Sequence, residues 1–226
     1  MAMTHLGWVA KSWCKGSRVS FSRNTTLPIS SSPTTWKKLL LNVMRRGLIK
    51  PPKLAIGDRT LGFWSALADF ARGTAKQYCW NHQIAHILSL LPKGMQRLAL
   101  KELQRISALP KREEAIQAID LLVQDFQADA PQAAACLAQE KEFMLVFYDF
   151  PAEHWPVLRN GSAIQTMFQT NGPIKRDESL LMDETLAGLL KLAETSQASW
   201  PHLPEPQHLG ELLRGEQFID GVMQAA

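Results

Sequence analysis

The sequence predicts a mostly α-helical protein that carries a few β-strands. Three observations predict it. Apolar residues recur at three- and four-residue spacing almost without a break from Gln83 to about Gln139, the period of helices that bury one face. Lys53-Leu-Ala-Ile-Gly57 is a short apolar run between Pro51-Pro52 and Asp58, of the length of a buried strand. Hydrophobic residues make up 46% and charged residues 20% of the 226 positions, enough for most of the chain to bury a core.

Residues 1–33 are basic, rich in Ser and Thr, and aperiodic, and are expected to form a disordered arm. Residues 1–57 hold ten Lys or Arg and no Asp or Glu, leaving 15 basic and 21 acidic residues in the rest, a balance of −6. A basic arm on an acidic body suits a polyanion such as DNA. A plain solvated tail and an organelle transit peptide are two other readings of the same composition. Regular structure is expected from Thr35, where Trp36, Leu39, Leu40, Val43 and Met44 mark an amphipathic helix ended by Gly47. The strand at Lys53–Gly57 then delivers Asp58 at its C-terminal end, and Leu61 to Phe70 reads as a helix with Leu61, Trp64 and Leu67 or Ala68 facing inward. In open α/β sheets the C-terminal ends of strands are where sites collect.

The helical stretch divides at its prolines. Ile84, Ile87, Leu88 and Leu91 form one stripe, and Pro92 suits the first position of the next helix. Met95, Leu98, Leu103 and Ile106 form a second stripe, and Ile116, Ile119, Leu122, Val123 and Phe126 a third. Such helices with short joints form bundles. Phe143 to Phe147 reads as a second strand, closed by Asp149, Pro151 and Pro156. A final helix is expected from Ser179 to about Trp200, before a tail punctuated by Pro201, Pro204, Pro206 and Gly210.

Several function classes are excluded. No apolar run approaches the roughly 18–20 residues of a membrane helix, so a soluble protein with no membrane partner is expected. Cys14, Cys79 and Cys136 are odd in number and widely spaced, which suits a reducing cytosol rather than a disulfide framework. There is no Gly-rich phosphate loop and no Gly-x-Ser-x-Gly elbow. Asp58 can hold a hard divalent cation, or it can cap the helix that follows. Cys79 and His82 are spaced like half of a zinc site, with His86 a third ligand one turn on, or they are buried packing groups.

Segments in order resemble the Mutator-type transposases of bacterial insertion sequences. They are Trp36-Lys-Lys-Leu-Leu-Leu41, Arg46-Gly-Leu48, Lys53-Leu-Ala-Ile-Gly-Asp58 and Leu61-Gly-Phe-Trp-Ser-Ala-Leu67. Next are Gln77-Tyr-Cys-Trp-Asn-His82, Leu91-Pro-Lys93 and Phe147-Tyr-Asp-Phe-Pro-Ala-Glu-His-Trp155, then Leu158-Arg159 and Phe218-Ile-Asp-Gly-Val222. The resemblance runs from about Thr34 to the C-terminus and leaves out residues 1–33. It implies an RNase H-like α/β core with an all-helical insertion between the second and third catalytic acids. On this chain the core is expected to be incomplete: part of it over 34–82, the insertion over 83–142, and the rest with the terminal helix over 143–226.

The chemistry implied is DNA transposition by metal-dependent strand cleavage and transfer. Two Mg2+ or Mn2+ ions held by Asp, Asp and Glu would activate the attacking oxygen and steady the leaving one. By resemblance Asp58 is the second acid and a metal ligand, and Cys79 and His82 are the Cys-x-x-His signature beyond it. The first Asp belongs on a strand ahead of Trp36, and its segment is expected to be absent, together with the DNA-binding N-terminal region. The third acid belongs after Leu158-Arg159, where Arg159-Asn-Gly-Ser-Ala-Ile-Gln165 puts Gln165 in place of Glu. Asp149 and Glu153 lie in a block that the family carries beside its own Glu, so they are not expected to replace it. The resemblance therefore implies a truncated, catalytically inactive member. Its partners would be the DNA of insertion-element ends, intact transposase, or a second copy of itself.

Overall fold

The computed structural model describes residues 33–45, 51–59, 62–160 and 203–224. The basic arm, Gly47, Gln165 and the helix expected at 179–200 lie outside these residues. The described chain is mostly helical, as the sequence predicts, and divides into two compact units. No helix among the described residues is long and apolar enough to cross a membrane.

The first unit contains α1 (Pro33–Arg45) and α2 (Phe63–Phe70). Trp36 and Leu40, four residues apart, are buried on one face of α1, while Met44 on the expected stripe is turned to solvent. α1 packs against α2, whose Phe63, Trp64, Ala66 and Leu67 are buried. Trp36 and Phe63 pack edge to face at 5.1 Å between ring centroids, and Phe63 and Trp64 at 5.2 Å. Such pairs add about 0.5–1.5 kcal/mol to the burial of the rings. Lys37 and Asp69 close the outer side with an exposed ion pair at 2.6 Å, a contact worth at most about 1 kcal/mol.

The second unit is built on four helices: α3 (Trp80–Ser89), α4 (Lys93–Ser107), α5 (Arg112–Phe126) and α6 (Pro131–Met144). Each buries one face. Ile84 and Ile87 do so in α3, Leu103 and Ile106 in α4, and Ile119, Leu122 and Phe126 in α5. α6 offers small residues instead, with Ala133, Ala134 and Leu137 fully buried, which lets α5 approach closely. Leu98 departs from the expected stripe. It is 66% exposed because the buried register of α4 runs Ala99, Leu103, Ile106, one residue out of phase with it. Pro92 stands one place before α4, as its N-cap, and Pro131 begins α6, where a missing N–H costs nothing.

A short sheet joins this unit. β1 (Leu54–Gly57) pairs with β2 (Ala75–Tyr78). The expected strand at Phe143–Phe147 is not formed. Its first residues end α6, and Val146–Asp149 turn as a 3-10 helix. Met144, Leu145, Phe147 and Tyr148 are all fully buried, a helical spacing that an alternating strand could not bury on one side. The backbone is satisfied by a side chain instead of a ladder. Fully buried Gln77 donates to Met144 O at 2.8 Å, and its Oε1 accepts from Phe147 N–H at 2.9 Å.

After a second 3-10 turn (Ala152–His154) and the short α7 (Trp155–Leu158), the chain returns in α8 (His208–Arg214) and a hairpin of β3 (Phe218–Ile219) and β4 (Val222–Met223). Asp220 and Gly221 make the two-residue turn, both at positive φ, the geometry that suits a hairpin's twist. Gly221 N–H donates to Tyr148 O and its carbonyl accepts from Ala152 N–H. A Cβ at 221 would stand 2.5 Å from Ala152 Cβ and 2.9 Å from Ala152 Cα. Gly221→Ala is therefore expected to loosen the docked hairpin by about 2 kcal/mol, from backbone strain plus overpacking. Faster hydrogen exchange at the Gly221 and Ala152 amides would report it, and unchanged exchange would contradict it.

Candidate functional site

The site begins where β1 ends. Gly57 is the last strand residue and Asp58, half-buried, follows it. The N-cap position of α2 falls at Gly62, four residues further on. Cys79 N–H donates to Gly57 O at 2.9 Å, so the C-terminal ends of β1 and β2 lie side by side, as in a parallel pair. This one bond carries Cys79 to the strand end that holds Asp58. Cys79 is fully buried at the N-cap of α3, and Gln83 N–H returns to its carbonyl at 3.0 Å, closing the turn that carries His82.

The structure thus brings Asp58, Cys79 and His82 together from segments 20 residues and more apart in sequence. A hydrogen bond with Cys79 raises the pKa of His82 above that of a free imidazole. The Asp58 carboxylate adds to the effect, and together they outweigh burial, which acts the other way. The stability tied to the charged imidazole is full below the unfolded value of about 6.5 and is lost as pH rises through the raised folded value. Proton NMR should find His82 titrating above the free value in the wild-type chain and lower in both Cys79→Ala and Asp58→Asn. An unchanged titration in both would contradict the arrangement.

Polar groups behind these residues fix them. Glu140 of α6, largely buried, receives hydrogen bonds from Arg59 and from the Gln83 side chain. One carboxylate thus ties the residue after Asp58 to the residue after His82. Burial, with the charge of Glu140 adding to it, pushes the Cys136 thiol up to about 11, which leaves that cysteine unreactive at neutral pH. Trp80 Nε1–H donates to Met144 O at 2.8 Å, and Trp80 N–H to Arg159 O at 2.9 Å. Arg159 is thereby held against the first residue of α3. Arg159 itself lies over the Phe147 ring at 5.5 Å and donates to Ser107 O.

Asp149 is engaged by Arg112 at 3.0 Å, and Glu153 faces His208 at 3.9 Å. His86 does not complete a ligand set with Cys79 and His82: among the described residues, no group of three or more His, Cys, Asp or Glu is placed to hold a metal ion. Among the described residues, the thiol of Cys79 and the imidazole of His82 accompany Asp58, whereas Mg2+ and Mn2+ prefer carboxylate and water oxygens. Arg59, Gln77, Gln83 and Glu140 escape sequence reasoning. The available signals are that Gln77 opens a recognised segment and that Arg59 and Gln83 each follow a residue of one.

The mostly helical chain, with an acid at a strand end beside a Cys-x-x-His turn, matches a family of known character. Residues 26–181 match the model described as transposase, Mutator family, and the chain belongs to that family. It is 36% identical over 196 residues to the transposase for insertion sequence element IST2 of Acidithiobacillus ferrooxidans, covering 86% of this chain and 66% of that protein. It is 35% identical over 202 residues to the transposase for insertion sequence element IS6120 of Mycolicibacterium smegmatis, covering 84% and 59%. The match thus spans between about three fifths and two thirds of the length of these relatives.

Proposed function

We propose that this chain is an insertion-element transposase that binds DNA in the cytoplasm without cleaving it. The observation that carries the reading is Gln165, which stands where the family pattern after Leu158-Arg159 places its third acid. An amide is close in shape to a carboxylate but uncharged, and two-ion phosphoryl transfer depends on anionic oxygen to hold the metals. On this reading β1, α2 and β2 are part of an RNase H-like core, with Asp58 its second acid. Helices α3–α6 are the insertion that separates it from the third. Family membership and the position of Asp58 at a strand end support the assignment.

The test is to incubate the full chain with duplex carrying the DNA that flanks its own coding sequence, with Mg2+ or Mn2+. The expected result is a retarded duplex with no nicked product. Metal-dependent nicking that disappears in Asp58→Asn would overturn the inactive assignment, and absence of any retarded species at low salt would overturn DNA binding.

A second reading, assembly with intact transposase or with another copy, is favoured by apolar exposure at the C-terminal end. Leu213 is 56% exposed, Ile219 58%, Val222 65% and Met223 47%. Such side chains are ordinarily covered where a partner is available. Light scattering that finds only monomers, alone and mixed with a full-length family transposase, would rule this out.

A further inference from the structure

We infer that the face of α4 formed by Lys93, Arg97, Lys101 and Arg105 binds the phosphate backbone of duplex DNA. The inference rests on the proposed DNA binding and assigns it a surface. The four cations recur every four residues along one helix, and all four are exposed. The single acid of α4 is Glu102, which pairs with Arg105 at 2.9 Å. Among the described residues, Lys93, Arg97 and Lys101 have no acidic partner within ion-pair distance.

Local helix stability does not account for this pattern. Like charges four residues apart repel across one turn. Lys93 opens the helix, at the end where the macrodipole disfavours a cation, and the first turn holds no acid to offset it. The neighbouring α5 shows the reverse balance, with Glu113, Glu114, Asp120 and Asp125 against Arg112. Beyond residue 57 the chain as a whole is acidic, so α4 is a basic strip on an acidic body. A run of residues that opposes its own helix yet persists in order marks a surface shaped by what it meets.

The dimensions fit a DNA strand. Cations four residues apart are spaced about 6 Å along the helix axis, and the whole ladder runs about 18 Å. Phosphates of one strand advance about 3.4 Å per nucleotide, so the ladder matches alternate phosphates over about five base pairs. The buried register of α4 is narrow, Ala99, Leu103 and Ile106, packed against α3 and α5, which leaves the basic face clear among the described residues. α3 is the helix that carries His82, so DNA lying along α4 is held by the helix next to the candidate site.

Fluorescence anisotropy of the full chain with a 30-base-pair duplex, across a salt series, tests this. Each phosphate contact contributes about 0.9 to the slope of log affinity against log salt. The variant Lys93→Gln/Arg97→Gln/Lys101→Gln/Arg105→Gln should therefore lose about 3–4 from the slope and bind at least tenfold more weakly at about 100 mM salt. Lysine acetylation of the unmutated chain should show Lys93 and Lys101 protected when the duplex is present. Wild-type binding with an unaltered slope in the variant would overturn the α4 surface alone. So would unprotected Lys93 and Lys101 on DNA-bound chain, which also decides the matter if the variant fails to fold. A wild-type chain that binds no duplex would overturn the broader DNA-binding reading with it.

Discussion

Trp155→Ala should destabilise the helical unit by about 4 kcal/mol, the largest loss expected of any single substitution considered. The indole is 9% exposed and packs edge to face on Phe147 at 5.4 Å and on Tyr148 at 4.8 Å. Its Nε1–H donates to Phe150 O at 2.9 Å. Truncating a buried Trp or Phe to Ala ordinarily costs about 3–5 kcal/mol, and the stranded Phe150 carbonyl adds to it. Trp155→Phe keeps much of the packing and loses the hydrogen bond, so about 1–2 kcal/mol is expected. Urea unfolding followed by circular dichroism measures both. A loss below about 1.5 kcal/mol for the alanine variant would mean that this aromatic cluster does not anchor the unit. The same geometry accounts for the specificity of Phe147-Tyr-Asp-Phe-Pro-Ala-Glu-His-Trp155 as a sequence block. Phe147, Tyr148 and Trp155 interlock, Pro151 and His154 are buried between them in sequence, and the turn at Gly221 closes over Ala152 and Trp155.

Glu140→Ala is expected to cost about 3 kcal/mol. The carboxylate is 10% exposed and the Arg59 side chain 32%, so the pair is largely withdrawn from water. Removing one partner of such a pair leaves the other charge under-solvated, a loss of about 3–5 kcal/mol in fully buried cases, and the partial exposure of Arg59 argues for the lower end. Gln83, 1% exposed, loses its acceptor as well. Glu140→Gln keeps the shape and an acceptor oxygen and should cost about half as much. Because Arg59 follows Asp58 and Gln83 follows His82, both variants should also move the His82 titration. Stability within about 1 kcal/mol of wild type in Glu140→Ala would show the pair to be screened by solvent and without a role in fixing the site.

The parts of this fold that were legible in the sequence share one property: their signal is local and repeated. The stripes of α3 and α5 recur over about two turns or more, and β1 is framed by prolines on one side and Asp58 on the other. β2 had no such signal. It is four residues, Ala75-Lys-Gln-Tyr78, whose most buried member is a glutamine, kept there by bonds to residues about 70 positions away. Phe143–Phe147 failed for the opposite reason, since a run of five apolar residues suits a strand or a buried helix end equally, and only the burial of both Phe147 and Tyr148 decides. The hairpin at 218–223 had its turn residues in plain view, Asp220-Gly221, but strands of two residues are too short to read.

For the site, Asp58, Cys79 and His82 could be singled out by residue type and by their resemblance to the Mutator segments. Their assembly could not. It depends on a backbone bond from Cys79 to Gly57 and on Glu140, which sits in a polar Gln-Glu-Lys-Glu run that reads as an ordinary solvated helix face.

On the proposed reading, the acid constellation of a transposase is disabled in this chain because Gln165 replaces an acid. Electron paramagnetic resonance of the full chain bound to duplex and titrated with Mn2+ tests it most directly, because two ions held about 3.5–4 Å apart give an exchange-coupled spectrum. The expected spectrum is that of uncoupled Mn2+ throughout the titration. A coupled pair in the wild-type chain, abolished by Asp58→Asn, would contradict the claim outright.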